Sequence, residues 1–198
     1  MTHIGIIGGT FNPVHYGHLR IAEEVRDACL IDKVVFIPSN IPPHKDGTAL
    51  VASEDRLEMV RIATKDNPSF NVSDIEVTRK GNSYSIETLK ELRKIYGEET
   101  DLSFILGIDA FLEIKTWKDY DKLFNLSNFI VTRRHGYNKE EIDDLLPIET
   151  ADSISFIETT MLDISSTKIR ERIKEGKSIR YLVPLEVEEH IMHKGLYK

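Results

Sequence analysis

The sequence has little of what marks a secreted or membrane-spanning protein. Its 198 residues include a single cysteine, Cys29, so no internal disulfide can form within the chain. It also lacks any run of about 18 apolar residues, the length that a membrane-spanning helix needs. The first residues contain no basic head followed by an apolar stretch of signal-peptide length. We therefore expect a protein of the reducing cytoplasm, without a membrane partner.

Positive charge is also scarce. The chain carries 26 Lys and Arg against 33 Asp and Glu, a formal net charge of −7. A nucleic-acid partner needs a basic face that neutralises many phosphates, so we expect none. A small anionic substrate stays compatible if cations gather locally. The candidates for such a cluster are His15, His18, Lys45, Arg170 and the pair Arg133-Arg134.

Internal repeats, low-complexity tracts and linkers are absent as well. The length suits one α/β domain spanning residues 1–198, with a C-terminal helical portion from about residue 165. A homo-oligomer is compatible with the sequence, which does not determine the number of copies.

Short apolar runs alternate with helical patterns along the chain. The runs occupy residues 4–7, 34–37, 102–106, 129–132 and 154–157. Most of them are apolar throughout, as is typical of parallel strands buried on both faces. This order predicts an α/β, Rossmann-like, doubly wound fold with a mainly parallel sheet and helices on both faces. We expect the ligand beyond the carboxyl ends of the strands.

A glycine-rich turn, Gly8-Gly9, follows the first apolar run and leads toward a helix. We place the start of that helix near Pro13, with His15 and His18 on one face of its first turns. Two imidazoles beside unpaired helix amides favour an anion such as phosphate. Either histidine alone is equally compatible with a cap or a surface group, and a zinc site would need further ligands. The turn lacks the third glycine of the G-x-G-x-x-G dinucleotide fingerprint.

Several motifs together resemble a known family. Residues 8–18, GGTFNPVHYGH, resemble the (T/H)xGH signature of the nucleotidyltransferases, and their wording is similar to bacterial nicotinate-nucleotide adenylyltransferases. Residues 164–170, ISSTKIR, are similar to that family's ISSTxIR motif. Further matching stretches are residues 36–45, 107–110 with Trp117, and 181–184. The resemblance therefore covers nearly the whole chain.

The resemblance implies a nucleotidyltransferase fold and an enzyme of NAD biosynthesis. The implied reaction transfers the adenylyl group of ATP to nicotinate mononucleotide and yields nicotinate adenine dinucleotide and pyrophosphate. Mg²⁺ would arrive with ATP and use no dedicated protein site, although Asp109 could contact it through water. The alternatives are a phosphopantetheine adenylyltransferase, an enzyme that accepts nicotinamide mononucleotide equally, and an inactive nucleotide-binding regulator.

The resemblance also assigns residues to three roles. The catalytic candidates are His15, His18, Lys45 and Arg170. The ATP-binding candidates are Gly8, Gly9, Thr10, Phe11, His18, Gly107, Asp109, Ile164, Ser165, Ser166, Thr167 and Arg170. The candidates for the nicotinate nucleotide are Asn40, Lys45, Ser85, Asp109, Trp117 and Arg134.

Three of these side chains have ordinary structural alternatives. Trp117, the only tryptophan, suits stacking against a pyridine ring or packing in the core. Asp109 suits a ribose hydroxyl or the cap of a short helix. Arg170 in a first helical turn opposes the helix dipole unless an anion binds beside it, and otherwise pairs with an acid on the surface. We find no acidic side chain next to Ser85 in sequence, which favours nicotinate over nicotinamide at that end.

Overall fold

The computed structural model describes residues 2–43, 50–79, 81–133, 152–160 and 162–198. Within these residues, six strands form one sheet in which every pairing is parallel. The strands are β1 (His3–Gly9), β2 (Lys33–Pro38), β3 (Phe70–Val72), β4 (Asp101–Gly107), β5 (Asn128–Arg133) and β6 (Ile154–Glu158). Their spatial order is β3-β2-β1-β4-β5-β6.

Helices connect the strands and complete the C-terminal part of the described chain. They are α1 (Tyr16–Ala28), α2 (Ser53–Thr64), α3 (Ile75–Thr78), α4 (Ser85–Tyr96), α5 (Ile108–Leu112), α6 (Tyr120–Leu123), α7 (Ser166–Lys174) and α8 (Leu185–Lys194). A short 3₁₀ turn, Ile114–Thr116, lies between α5 and α6. In the described residues, no helix is long and apolar enough to cross a bilayer.

Each face of the sheet packs against its own set of helices. Alternate residues of a strand point to opposite faces, so Val34 and Phe36 of β2 belong to one apolar cluster and Val35 and Ile37 to the other. The first cluster also takes side chains from α1, α2, α7 and α8, and the second from α4, α5 and α6. The expected doubly wound, Rossmann-like α/β fold with helices on both faces is confirmed.

Most of the predicted elements are present. All five predicted strands are confirmed, and β3 is an additional strand that the sequence pattern did not indicate. The placement of the first helix start at Pro13 was wrong, because the backbone of His15 is still extended (φ −151°, ψ 170°) and α1 begins at Tyr16. Ser165 caps α7, since its side chain accepts a hydrogen bond from the Lys168 amide at 3.2 Å.

The strand order reverses between β1 and β4, which are neighbours although four helices and two strands separate them in sequence. In open parallel sheets this reversal leaves a crevice at the carboxyl ends of the two strands, where ligands bind. β1 ends at Gly9 and β4 at Gly107, so both glycine-containing segments named from the sequence meet at this edge.

Candidate active site

A cavity of about 410 Å³ opens at the carboxyl ends of β1 and β4. Its volume lies in the range of small-molecule sites. The sequence-derived candidates that line it are Gly8, Gly9, Thr10, Phe11, His18, Ser85, Gly107 and Trp117. Candidates for both substrates therefore share one cavity, with the turn after β1 contributing the ATP set and α4 with Trp117 contributing the nicotinate set.

The two glycines of the turn make room for aromatic rings. A side chain at Gly9 would place its Cβ 3.0 Å from the Phe11 ring, and one at Gly8 would approach the Phe104 ring to 3.3 Å. Phe11 itself adopts a positive φ of 47°, which reverses the chain after the strand. The glycines thus allow the turn to pack tightly against its own cavity wall.

His15 and His18 lie against each other at the start of α1. Their rings are stacked with centroids 3.7 Å apart, and the His15 amide donates to His18 Nδ1 at 3.2 Å. His15 is the N-cap residue and is 6% exposed. Gly17 is needed beside it, because a Cβ there would lie 3.0 Å from the His15 ring. The structure brings His18 to the cavity wall and places His15 behind it.

Burial also decides the charge of His15. Desolvation lowers its pKa from 6.5 to about 4, so the imidazole is neutral at pH 7. Its Nδ1 is buried and has no hydrogen-bond partner among the described residues. A neutral ring can lie flat against His18 without charge repulsion. The arrangement makes His15 a support for His18, a role that the sequence did not distinguish from direct contact with phosphate.

The C-terminal motif meets the glycine-rich turn across some 150 residues of sequence. Arg170 Nη1 donates to the Asn12 carbonyl at 2.9 Å, and Ser166 Oγ donates to the Pro13 carbonyl at 2.8 Å. Arg170 Nη2 also donates to Thr167 Oγ1 at 3.2 Å. These contacts bring the two motifs together. Arg170 is the fifth residue of α7 and therefore lies just beyond the first turn, in which the sequence analysis placed it. Its partners are a backbone carbonyl and a hydroxyl.

A further cation holds the same turn, and the sequence analysis missed it. Arg56 of α2 is 1% exposed and donates to three backbone carbonyls, those of Thr10, Asn40 and Val51. Its helical spacing to the buried Met59 and Val60 was the available signal, because positions i, i+3 and i+4 share one helix face.

Two of the nicotinate candidates, Ser85 and Trp117, also line the cavity. Ser85 is the first residue of α4, so this helix begins at the cavity. The half-buried Trp117 packs against Phe104, with ring centroids 6.1 Å apart and planes at 78°. It therefore packs on the core and lines the cavity at once. Lys118, also in the wall, lies 4.4 Å from the Tyr84 ring centroid.

An acidic side chain that is distant in sequence shares the cavity with Ser85. Glu76 of α3 lines the same cavity as Ser83 and Ser85, although it is nine residues away in sequence from Ser85. Its Oε1 accepts a hydrogen bond from Thr88 Oγ1 at 2.5 Å, and Arg79 Nη2 lies 3.8 Å away. Burial is the largest influence on this carboxyl and raises its pKa. In its protonated form a carboxyl can donate a hydrogen bond to a substrate carboxylate, whereas in its ionised form it can only accept.

The remaining candidates lie beside the cavity or outside the described residues. Asp109 is exposed in the first turn of α5, next to Gly107. Asn40 donates from its side chain to the Arg79 carbonyl at 3.2 Å. Ile164, Ser165, Ser166, Thr167 and Arg170 lie behind the turn and do not line the cavity. Lys45 and Arg134 fall outside the residues that the structure describes.

Relatives of the chain match it over nearly its full length. Residues 6–172 match the Cytidylyltransferase-like family. A probable nicotinate-nucleotide adenylyltransferase of Geotalea daltonii is 46% identical over 98% of this chain and 97% of its own length. One of Moorella thermoacetica with the same description is also 46% identical, over 98% of this chain and 91% of its own length.

A solved structure has the same fold. The Plasmodium falciparum nicotinic acid mononucleotide adenylyltransferase complexed with NaAD superposes with a TM-score of 0.81 at 20% identity, covering 100% of this chain and 98% of that one. At this identity the likeness establishes the fold. Together with the near-full-length identity to the two bacterial relatives, it shows that the chain belongs to the Cytidylyltransferase-like family, within the group of nicotinate-nucleotide adenylyltransferases.

Proposed function

We propose that this protein transfers the adenylyl group of ATP to nicotinate mononucleotide, forming nicotinate adenine dinucleotide for NAD biosynthesis. The observation that carries the proposal is the shared cavity at the carboxyl ends of β1 and β4. His18 and the glycine-rich turn line one wall of it, and Ser85 with Trp117 line another. A site for transfer between two nucleotides must hold both at once, and this cavity offers a distinct surface to each.

The proposed reaction is a direct displacement at phosphorus. The phosphate of nicotinate mononucleotide attacks the α-phosphorus of ATP, a new P–O bond forms, and the bond to the leaving pyrophosphate breaks. A phosphate monoester has a second pKa of about 6 and is already a dianion near neutral pH, so no general base is required. Positioning and charge neutralisation then supply most of the rate acceleration.

The chain's donors would stabilise the charge that builds on the leaving group. We assign His18 to a phosphate oxygen, where one well-aimed donor contributes about 3 kcal/mol to the transition state. Ser85 and the first amides of α4 would receive the nicotinate carboxylate, and Trp117 would offer its ring to the pyridine. Lys45 and Arg134 are assigned as cationic contacts on the strength of the family motifs.

Arg170 and Mg²⁺ would both act on the ATP side of the site. Arg170 has one nitrogen engaged by Asn12 and one by Thr167, so we assign it to holding the turn and adding positive potential beside the triphosphate. Mg²⁺ suits this site when it arrives with ATP, because it keeps several waters and needs one protein carboxylate or none. When bound, it would neutralise part of the phosphate charge, and the exposed carboxylate of Asp109 would hold it through water.

We also propose that residues 1–198 form one domain that works in the cytoplasm. Helices α7 and α8 place Ile169 and Val187 in the same apolar cluster as Val25 of α1, which supports a single folding unit. The lone Cys29 is partly buried, and a protein without disulfides suits a reducing compartment.

A second acceptor, nicotinamide mononucleotide, is favoured by one observation. Glu76 lines the cavity near Ser85, and in its ionised form it can accept a hydrogen bond from a carboxamide. The two acceptors differ only in carrying a carboxylate or a carboxamide on the pyridine ring. The charge of the cavity wall next to that group would therefore decide between them.

The test is pyrophosphate release from ATP with three acceptors in parallel: nicotinate mononucleotide, nicotinamide mononucleotide and phosphopantetheine. We expect the highest kcat/KM with nicotinate mononucleotide and a product with the mass of nicotinate adenine dinucleotide. Preference for phosphopantetheine, or ATP binding without turnover on any acceptor, would contradict the proposal.

A further inference from the structure

Arg56 holds three separate segments of the chain from inside the core. Its Nη1 donates to the Thr10 carbonyl at 2.7 Å, its Nη2 to the Asn40 carbonyl at 2.7 Å, and its Nε to the Val51 carbonyl at 3.2 Å. The side chain is 1% exposed. Only a planar guanidinium with a fork of donors can reach carbonyls in three directions at once.

Two of the three carbonyls belong to segments that line the cavity. Thr10 follows β1 and lines the cavity, and Asn40 follows β2 directly after Ser39, which also lines it. Val51 precedes α2, and its amide approaches Asn12 Oδ1 at 3.4 Å. Arg56 therefore ties the glycine-rich turn to the loop that follows the neighbouring strand.

Arg56 is buried without a countercharge. Among the described residues, no carboxylate forms an ion pair with it, and its three acceptors are neutral. Burial lowers its pKa, which reflects an unfavourable desolvation of the cation. Its three hydrogen bonds offset this cost, and without Arg56 the three carbonyls would lose their donor. The bonds of this buried cation therefore serve to fix the segments that carry those carbonyls.

Arg56 and Arg170 together hold the turn on both sides of Phe11. Arg56 binds the carbonyl of Thr10, and Arg170 binds that of Asn12. Phe11, between them, has the positive φ of 47° and packs edge-on against His18 at 5.1 Å. The position of the His18 ring therefore depends on a turn whose two flanking carbonyls are each held by an arginine.

Loss of Arg56 should affect the two substrates unequally. The Asn40 segment keeps two other hydrogen bonds, from its amide to Ser83 Oγ at 2.9 Å and from its side chain to the Arg79 carbonyl. The Thr10 carbonyl, in contrast, accepts its side-chain hydrogen bond in the described structure from Arg56. Without Arg56, the turn beside ATP relaxes while the Asn40 loop stays in place.

We propose that Arg56 is a positioning residue for ATP, which fixes the glycine-rich turn at the distance that adenylyl transfer requires. This inference rests on the proposed function, because it assumes that the turn holds ATP. Arg56 would thus control the geometry of the ATP site although its side chain does not itself line the cavity.

The test compares Arg56→Lys and Arg56→Met with two control variants. Lysine keeps the charge but has a single nitrogen, and methionine removes the charge at similar volume. Arg61→Met changes an exposed arginine of the same helix, which pairs with Asp74 at 3.5 Å. Ile191→Ala should lower the Tm, because it truncates a fully buried side chain in the apolar cluster that α2 also joins.

We expect both Arg56 variants to raise the KM for ATP and its Kd, measured by calorimetry, about tenfold, the effect of losing one charge-assisted hydrogen bond. The KM for nicotinate mononucleotide should change less than about threefold. Arg61→Met should match the wild type, and Ile191→Ala should lose thermal stability with both KM values unchanged.

Three results would overturn the inference. They are equal increases in KM for both substrates, wild-type ATP affinity in both Arg56 variants, and wild-type behaviour of Arg56→Lys, which would show that charge alone matters. The proposed function is judged separately, by turnover of the wild type. If the wild type has no transferase activity, the ATP Kd of the variants still tests whether Arg56 positions the turn.

Discussion

The imidazole rings of His15 and His18 are stacked face to face, with 3.7 Å between centroids and 28° between planes. One ring is buried and neutral at pH 7, and the other lines the cavity. Gly17 leaves the space that the His15 ring occupies. The pair therefore acts as a unit in which His15 fixes the orientation of the His18 ring.

The lowered pKa of His15 predicts that the protein loses stability in acid. The unfolded chain binds a proton at His15 below pH 6.5, whereas the folded chain does so only near pH 4. Between these values the unfolded state holds more protons, so the free energy of unfolding falls as the pH falls. Across the whole window the loss from this residue is on the order of 3 kcal/mol.

Urea unfolding at intervals from pH 7.5 to pH 4 measures this loss. A His15→Asn variant cannot titrate in the window, so its stability should fall less steeply than that of the wild type. Equal slopes for the two proteins would show that His15 is not held neutral by the fold.

Removal of His18 should affect catalysis more than folding. We expect His18→Ala to lower kcat by about 10²- to 10³-fold, the usual effect of removing one donor to transition-state charge. The Tm should change little, because the ring is only partly buried. His193→Ala, which removes an exposed histidine of α8, serves as the matched control in the same pyrophosphate assay. A kcat equal to that of the wild type would remove His18 from the proposed mechanism.

Trp117 should contribute to one substrate only. We expect Trp117→Ala to raise the KM for nicotinate mononucleotide about three- to tenfold, since an aromatic pair contributes about 0.5–1.5 kcal/mol. The KM for ATP should stay within about twofold of the wild-type value. Trp117→Phe keeps an aromatic ring against Phe104 and should restore most of the affinity. Equal effects on both substrates, or loss of the fold in both variants, would assign Trp117 to packing alone.

Glu76 should make acceptor choice depend on pH. The raised pKa extends the pH range in which the carboxyl is protonated and can donate to nicotinate, whereas the ionised form repels nicotinate and accepts from nicotinamide. Thr88, Ser83 and Arg79 are the groups that stabilise the ionised form. We therefore expect the ratio of kcat/KM for nicotinate mononucleotide to that for nicotinamide mononucleotide to fall as the pH rises.

Glu76→Gln is the matched variant for that measurement, because its amide keeps an acceptor for Thr88 and never ionises. In this variant, the ratio of kcat/KM for the two mononucleotides should not change with pH. A parallel decline in the variant and the wild type would place the titrating group elsewhere.

The sequence predicted the parts of the fold that depend on local pattern. The apolar runs of β1, β2, β4, β5 and β6 are buried strands, and the cap at Ser165 starts α7. β3 was missed because it has only three residues. The helix start at Pro13 was wrong because the turn extends through His15, and tertiary contacts decide where a helix begins.

The site was predictable where motifs carry it and not where long-range contacts do. The meeting of Arg170 with the turn followed from two motifs that belong to one family. Arg56 and Glu76 have no motif around them in sequence. Arg56 acts on a carbonyl 46 positions away, and Glu76 lies at the cavity with its carboxyl bonded to Thr88 of α4. Side chains of this kind become visible only when the segments that they join are placed in space.

The most direct test of adenylyl transfer in this cavity follows the α-phosphorus itself. ATP labelled at the α-phosphate is incubated with the wild-type protein and nicotinate mononucleotide, and the products are separated. The account predicts that the label appears in nicotinate adenine dinucleotide and that the pyrophosphate is unlabelled. Label that stays in ATP, or that is found in AMP with nicotinate mononucleotide unchanged, would contradict it.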